Sequence, residues 1–476
     1  MNRSVFTLFL IVLSFLVTNQ TIASVKENNW GIAAGYRSAM IPYASDENSV
    51  EDFIPLMFYE GETFFLRGLT AGAHLYEKDQ LQVNALGRYR FFDIPKEYQN
   101  LVREDAVDLG LELKYQLDEN WHSSLELMSD TDGRLYSSLN TGLKLESGAW
   151  DMLPFAKLRF KTDDFNDHYF GLDGFSDPLN PGNSFDNKIG SGLDLTIGSE
   201  VRYHVASNFY LIGRAQITAL DEDTQNSQSI DEDIYGEAFL GIAFFNDKTR
   251  KKSSLDMKPY VRLAHAWATP SNLSEIIRFN SQDDDQDNQL TSIFYGHPVA
   301  DNLFGIDDLD IYMTLGYVYH HNSGSYAQTL EPGKGINSTE FSSAKGNPCD
   351  GISPCTISYN SQPTHEYVLG IKAFYNMSWP FHWRFGFAEG ISYIEDVSNI
   401  EQREMDRKGY RASNLMNYLD LTIDFSLGKA LDSPDLKDWY LGVGVHHRSS
   451  IFESSSAFGR IKGGSNYNSI YLQHHF

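Results

Sequence analysis

Apolar and polar residues alternate with period two along most of this 476-residue chain, and helical periodicity is almost absent. Between Val107 and Leu117 the odd positions are Val107, Leu109, Leu111, Leu113, Tyr115 and Leu117. The even positions are Asp108, Gly110, Glu112, Lys114 and Gln116. Leu81, Val83, Ala85, Tyr89 and Phe91 likewise oppose Gln82, Asn84, Arg88 and Arg90. Leu193, Leu195, Ile197, Val201 and Tyr203 oppose Asp194, Thr196, Glu200 and Arg202. Later, Tyr367, Leu369, Ile371, Ala373 and Tyr375 oppose Glu366, Gly370, Lys372 and Asn376, and Leu419, Leu421, Ile423, Phe425 and Leu427 oppose Asp420, Thr422, Asp424 and Ser426. Each segment predicts a strand with one apolar face.

A soluble sandwich turns such faces inward; a barrel in lipid turns them outward. Three features favour the barrel. The segments run about 10–13 residues, against about 5–6 for a globular strand and about 9–11 for a tilted strand crossing a bilayer. Tight turns alternate with long polar loops. The chain also stops on a strand, Asn466 to Phe476, whose one face carries Ile470, Leu472, His474 and Phe476. A terminal Phe resembles the signal read by outer-membrane assembly machinery. The expected class is all-β, an antiparallel transmembrane β-barrel in the outer membrane of a Gram-negative bacterium.

The pattern gives roughly ten or more strands between Trp30 and Phe245. Eight more fit 257–268, 290–297, 309–321, 366–378, 381–394, 416–428, 438–449 and 466–476. The basic, polar run from Asn246 to Ser254 separates the two sets. This divides the chain into 24–247, a linker at 248–256, and 257–476. Two architectures stay open: two barrels in tandem, or one of about 18–20 strands. The two Phe residues ending Tyr235–Phe245 incline the reading to tandem barrels. One segment, Pro270 to Arg278, reads as a short helix capped by Ser271.

Composition adds location. Residues 1–23 read as an export signal: Arg3 supplies the charge, Val5 to Val17 the apolar run, and Thr21-Ile22-Ala23 the cleavage pattern. The 27 Tyr and 31 Phe suit aromatic girdles at the two bilayer interfaces. A net charge of −26 excludes nucleic acid as a partner and suits acidic loops outside the bilayer. The expected partners are outer-membrane lipids and lipopolysaccharide. Cys349 and Cys355 lie close enough in sequence for a loop disulfide in an oxidising compartment.

Acidic clusters at Asp163-Asp164-Asp167, Asp221-Glu222-Asp223, Asp231-Glu232-Asp233 and Asp283-Asp284-Asp285-Asp287 offer oxygen ligands but fit solvated loops better. No phosphate loop, zinc spacing or nucleophile elbow is present, so no cofactor or metal site is expected. Arg88, Arg90, Glu112, Lys114, Glu200, Arg202, Asp420 and Asp424 face inward by phase. In a small barrel they would pair and plug the lumen; in a large one they would line a pore.

WGIAAGYRSAMIPY (30–43), FYEGETFFLRGLTAG (58–72), DDFNDHYFGLD (163–173) and YGEAFLGIAFFND (235–247) stand in the order and spacing of the MipA/OmpV family, which residues 24–247 resemble. The resemblance implies an outer-membrane barrel. It also implies, as in some members, a non-enzymatic scaffold that joins murein enzymes in the periplasm. The chain is nearly twice the family's usual length. Near its end, Val443 to Ser450 followed by Gly463 to Tyr467 resembles the PagL-type lipid A deacylases. Their His-x-Ser pair would be His447 and Ser449, two residues apart on one strand face, so that the imidazole could take the hydroxyl proton. That face looks outward, near the outer leaflet. The family's acidic position falls on Ile461, with Glu453 nearby. A second pair, His321 and Ser323, has the same phase. Either pair equally suits the interfacial rim of a strand.

Overall fold

A computed structural model describes residues 29–476 apart from 100–106, 176–184, 186, 207, 247–256, 279, 283, 285–287, 302, 304–305, 322–324, 339–347, 350–351, 353, 361, 380–381, 453–454, 457–460 and 462. The expected export signal (1–23) and linker (248–256) lie outside the described residues, as do Ser323 and Glu453. The alternating segments form strands that close into two separate barrels, one of 12 strands and one of 8. The single large barrel is thereby excluded. No helix of the described residues is long and apolar enough to cross a membrane.

The first barrel contains β1 (Asn29–Met40), β2 (Ser49–Glu60), β3 (Phe64–Gly68), β4 (Thr70–Lys78), β5 (Leu81–Tyr89), β6 (Val107–Gln116), β7 (Trp121–Ser129), β8 (Leu135–Leu143), β9 (Leu145–Ser147), β10 (Trp150–Lys161), β11 (Gly192–Ala206), β12 (Phe209–Ala219) and β13 (Ile234–Phe245). Neighbours pair antiparallel. β1 joins β13, β10 joins β11 to complete the circle, and short β9 follows β8 alongside β10. β3 stops early and turns at Leu69, whose carbonyl accepts from the Tyr89 amide at 3.0 Å. Beyond Tyr89 the chain therefore loses its neighbour on that side and turns inward. Phe91, expected on the outer face, instead lies under the Arg37 guanidinium, 3.9 Å from its ring centre.

The second barrel contains β14 (Tyr260–Thr269), β15 (Gln289–Ala300), β16 (Leu309–His321), β19 (Thr364–Met377), β20 (Trp383–Ile394), β21 (Leu415–Ser426), β22 (Trp439–Ser450) and β23 (Gly463–His475), with β23 pairing back onto β14. These are the eight segments read from the alternation. The pattern did not show a separate two-stranded ribbon, β17 (Ser325–Leu330) with β18 (Cys355–Asn360), rising from the β16–β19 connection. A disulfide joins Cys349 to Cys355 at the ribbon's far end, away from the barrel. The helix near 270–278 spans Leu273–Ile277, but Ser271 does not cap it. Asn272 does, accepting from the Glu275 amide while the Glu275 carboxylate takes the Asn272 N–H. The Ser271 hydroxyl accepts from Gln282 N instead.

The longest connections leave one end of each barrel. Most of the short turns, the β21–β22 connection (427–438), the start of β1 and the end of β23 sit at the other. In outer-membrane barrels the short turns face the periplasm. Outward faces carry exposed Leu, Ile and Phe, such as Leu111, Leu125, Leu139, Leu195, Leu240 and Ile293. Rings gather at both rims of the second barrel. His265, Trp267, Tyr319 and His321 cluster at the loop end, and Trp439 lies 4.4 Å from His474 at the turn end.

The outer walls are not apolar and exposed everywhere. On β13, Leu240 is 68% exposed but Phe244, on the same face, is 2% exposed. Phe244, Ile32 and Phe209 of the first barrel pack against Val299, Ala300, Leu303 and Ile311 of the second. The barrels thus stand side by side, wall against wall. Polar contacts reinforce the seam. Asn208 Nδ2 donates to the Val299 carbonyl (3.2 Å) and Asn417 Nδ2 to that of Phe53 (3.3 Å). Ser455, on the β22–β23 connection, donates to buried Asp52 on β2 at 2.6 Å.

Candidate functional site

Width decides what each lumen holds. Eight strands leave room only for side chains, and Phe294, Val318, Val368, Tyr418 and Tyr467 fill that space, all buried. Among them lie paired charges. Asp420 accepts from Arg262 (2.6 Å) and Lys372 (2.8 Å), and Asp424 takes both arms of Arg384 at 2.8 Å. Nearer the loop end, Glu366 accepts from Ser392 (2.5 Å) and lies 2.7 Å from His320 Nε2 and 3.1 Å from His446 Nε2. Arg448 extends the network to Ser392 and to Glu401, on the helix Asn399–Lys408. Burial pushes the Glu401 carboxyl up, and Arg448 opposes the shift. Sequence reading placed Asp420 and Asp424 inward but missed His320 and His446. Glu366 meets His320 from the neighbouring strand β19 and reaches His446, on β22, across the closed lumen.

His447 and Ser449 fall on the outward face of β22 at its loop end, both half-buried. His447 Nδ1 is 2.6 Å from Asn466 Oδ1, and Asn466 Nδ2 donates to the Ser271 carbonyl at 2.9 Å. That second bond turns the amide oxygen toward the imidazole. Nδ1 therefore carries the proton and Nε2 is left as acceptor. No hydrogen bond joins His447 to Ser449 among the described residues. Ile461 packs against Met405 and Met416 rather than meeting the pair. The partner of His447 is thus Asn466 rather than the carboxylate that sequence reading sought; only its pairing opposite His447 on β23 reveals it. His321 Nε2 bonds Thr291 at 2.8 Å within the ring cluster at the rim.

The 12-stranded barrel is wider and keeps a cavity of about 860 Å³. Its loop end is closed by a buried cluster that includes Tyr43, Phe92, Tyr98, Phe165, Tyr169 and Leu172. The helix Asp163–Tyr169 supplies two of these rings. Below the plug, Arg37 meets Asp52, Asp93 and Glu237 at 2.6–3.0 Å, Arg88 meets Glu126 at 2.8 Å and Arg90 meets Asp108 at 2.8 Å. The acidic loops are structural where described. Asp167 accepts from the Ile189 and Gly190 amides, and Asp221 caps Glu222–Gln225 and pairs with Lys161. No cluster of metal ligands occurs among the described residues.

Apolar outer walls, rim aromatics, closed antiparallel sheets and polar interiors define an outer-membrane β-barrel protein. Residues 30–245 match the family model of MltA-interacting protein MipA. The match spans the first barrel; the second lies outside it. The putative outer membrane protein YiaT of Escherichia coli K12 is 25% identical over 182 residues, which cover 36% of this chain and 70% of that protein. Among solved structures, Pseudomonas putida OprB covers 94% of each chain at 7% identity with a TM-score of 0.25. Pseudomonas aeruginosa OccK11 covers 94% of this chain and 96% of its own at 9% identity, with a TM-score of 0.22.

Proposed function

We propose that this protein is a non-enzymatic organiser of the cell envelope, anchored in the outer membrane by two barrels and docking a periplasmic murein enzyme at its turn end. The match of the whole first barrel to a family named for interaction with MltA carries this reading. The filled lumen of the second barrel supports it, because a packed barrel serves as an anchor rather than a route. Residues 1–23 act in this scheme as the export signal, 248–256 as the linker, and the exposed outer walls contact membrane lipids and lipopolysaccharide. Crosslinking in intact cells followed by purification should recover a murein transglycosylase with the full chain. Recovery of no periplasmic enzyme would overturn the reading.

A second reading rests on the Asn466–His447 contact. An imidazole held by Nδ1 presents Nε2 as a base, the arrangement of Cys-His-Asn hydrolases. Ser449, next on the same face, would then attack an acyl ester of an outer-leaflet glycolipid. Lipid A masses compared with and without the gene test it. A shortened acyl pattern lost in Ser449→Ala supports it; identical patterns end it.

A further inference from the structure

The charges lining the first barrel do not balance. Its carboxylates already have partners: Glu60 with Arg67, Asp93 and Glu237 with Arg37, Asp194 with Lys161, and Glu200 with Arg214. Glu112 accepts from Asn84 at 2.7 Å. Yet Lys114, Lys157, Arg159 and Arg202 also line the cavity. None of these four has a carboxylate at ion-pair distance among the described residues. Lys157 and Arg159 stand two residues apart on the inward face of β10. Arg159 lies over the Tyr136 ring, its Nε buried without a hydrogen-bond partner. Arg202 faces the rings of Phe58 and Phe245. In a chain whose net charge is −26, this surplus of cations inside one barrel is a local property.

Cations held on rigid strands without counter-charges attract anions, and low-dielectric walls focus that field. Guanidinium forks suit carboxylate and phosphate groups. Phe58, Phe91 and Phe239 supply apolar surface between the charges. The volume falls within the range of small-molecule sites, about 300–1,000 Å³. Access is one-sided. The aromatic plug shuts the loop end, whereas the Glu60 and Arg67 side chains at the turn end are 48% and 36% exposed. We propose that the lumen of the first barrel is a binding site for small carboxylate or phosphate anions bearing two or more negative charges, entered from the periplasmic side and closed toward the outside.

The test uses the full chain, folded in detergent, with citrate and pyrophosphate as separate probes and sucrose as the neutral control. Calorimetry at low salt should show saturable binding of at least one anion, weakening as salt rises, and none of sucrose. The K157Q/R159Q double variant should lose affinity at least about tenfold, while K157R/R159K retains it. Heat-modifiable migration on gels checks that each variant is folded; should the glutamine variant not fold, the salt series and the sucrose control decide. Saturation by neither anion, or equal affinity in K157Q/R159Q, would overturn the proposal. Steady ion conductance in planar bilayers would overturn its closed loop end.

Discussion

The two barrels are built from the same alternating strands, yet they treat inward charge in opposite ways. In the narrow barrel every strand faces the others across a lumen too small for water-filled space. Arg262, Lys372 and Arg384 therefore meet Asp420 and Asp424 directly, between aromatic rings. In the wide barrel cations on opposite walls stay apart, and only those with a carboxylate on a nearby strand are neutralised. Four more strands change a packed core into a chamber. The residue types are much the same; the radius decides whether a charge is structural or available.

Removing one partner from the narrow lumen should have the largest effect. Asp420→Ala leaves Arg262 and Lys372 buried and uncompensated, so denaturant unfolding should show a loss of about 3–5 kcal/mol. The contrast between seam and lipid-facing wall comes next. Phe244→Ala should cost up to about 3 kcal/mol, because it opens a cavity between the barrels. Leu240→Ala, on the same strand but facing outward away from the seam, should cost under half of that in the same unfolding assay.

Lys157→Gln probes the wide lumen and should change stability by no more than about 1 kcal/mol, since no ion pair is lost. A loss as large as that of Asp420→Ala would erase the contrast between the barrels. The smallest effect concerns the loops. Burial holds the Asp406 carboxyl above its ordinary range, while Tyr359 and Gln402 donate to it and oppose the shift. An acid whose pKa is raised on folding favours the folded state in its protonated form. Its penalty is absent below the unfolded pKa and grows as pH rises through the folded one. Acidification should therefore raise the hydrogen-exchange protection factors (rates relative to unstructured peptide at the same pH) in the helix Asn399–Lys408, and Asp406→Asn should remove that rise.

Much of this was legible along the chain. Period-two alternation located all eight strands of the second barrel, because a strand with one face in lipid must place an apolar residue at every second position over the bilayer's thickness. Phase also placed Asp420 and Asp424 inward, and His447 with Ser449 outward. The same logic failed at Phe91. There the strand ends because its neighbour β4 begins only at Thr70, and pairing partners are not written in local periodicity. Asn466 went unread as the partner of His447 for the same reason: the two are joined by the register of β22 on β23, not by spacing.

By itself, then, the sequence determined which segments become strands, which face of each meets lipid, and that the first half shares its motifs with a known barrel family. The tertiary structure decided the rest. Closure into 12 and 8 strands set two radii, and those radii made one lumen a packed core and the other a cation-lined chamber. The seam that buries Phe244 and Ile32 exists only because two walls meet. Side-chain direction is a local consequence of the pleat, whereas what a side chain then faces depends on strands brought together from distant parts of the chain.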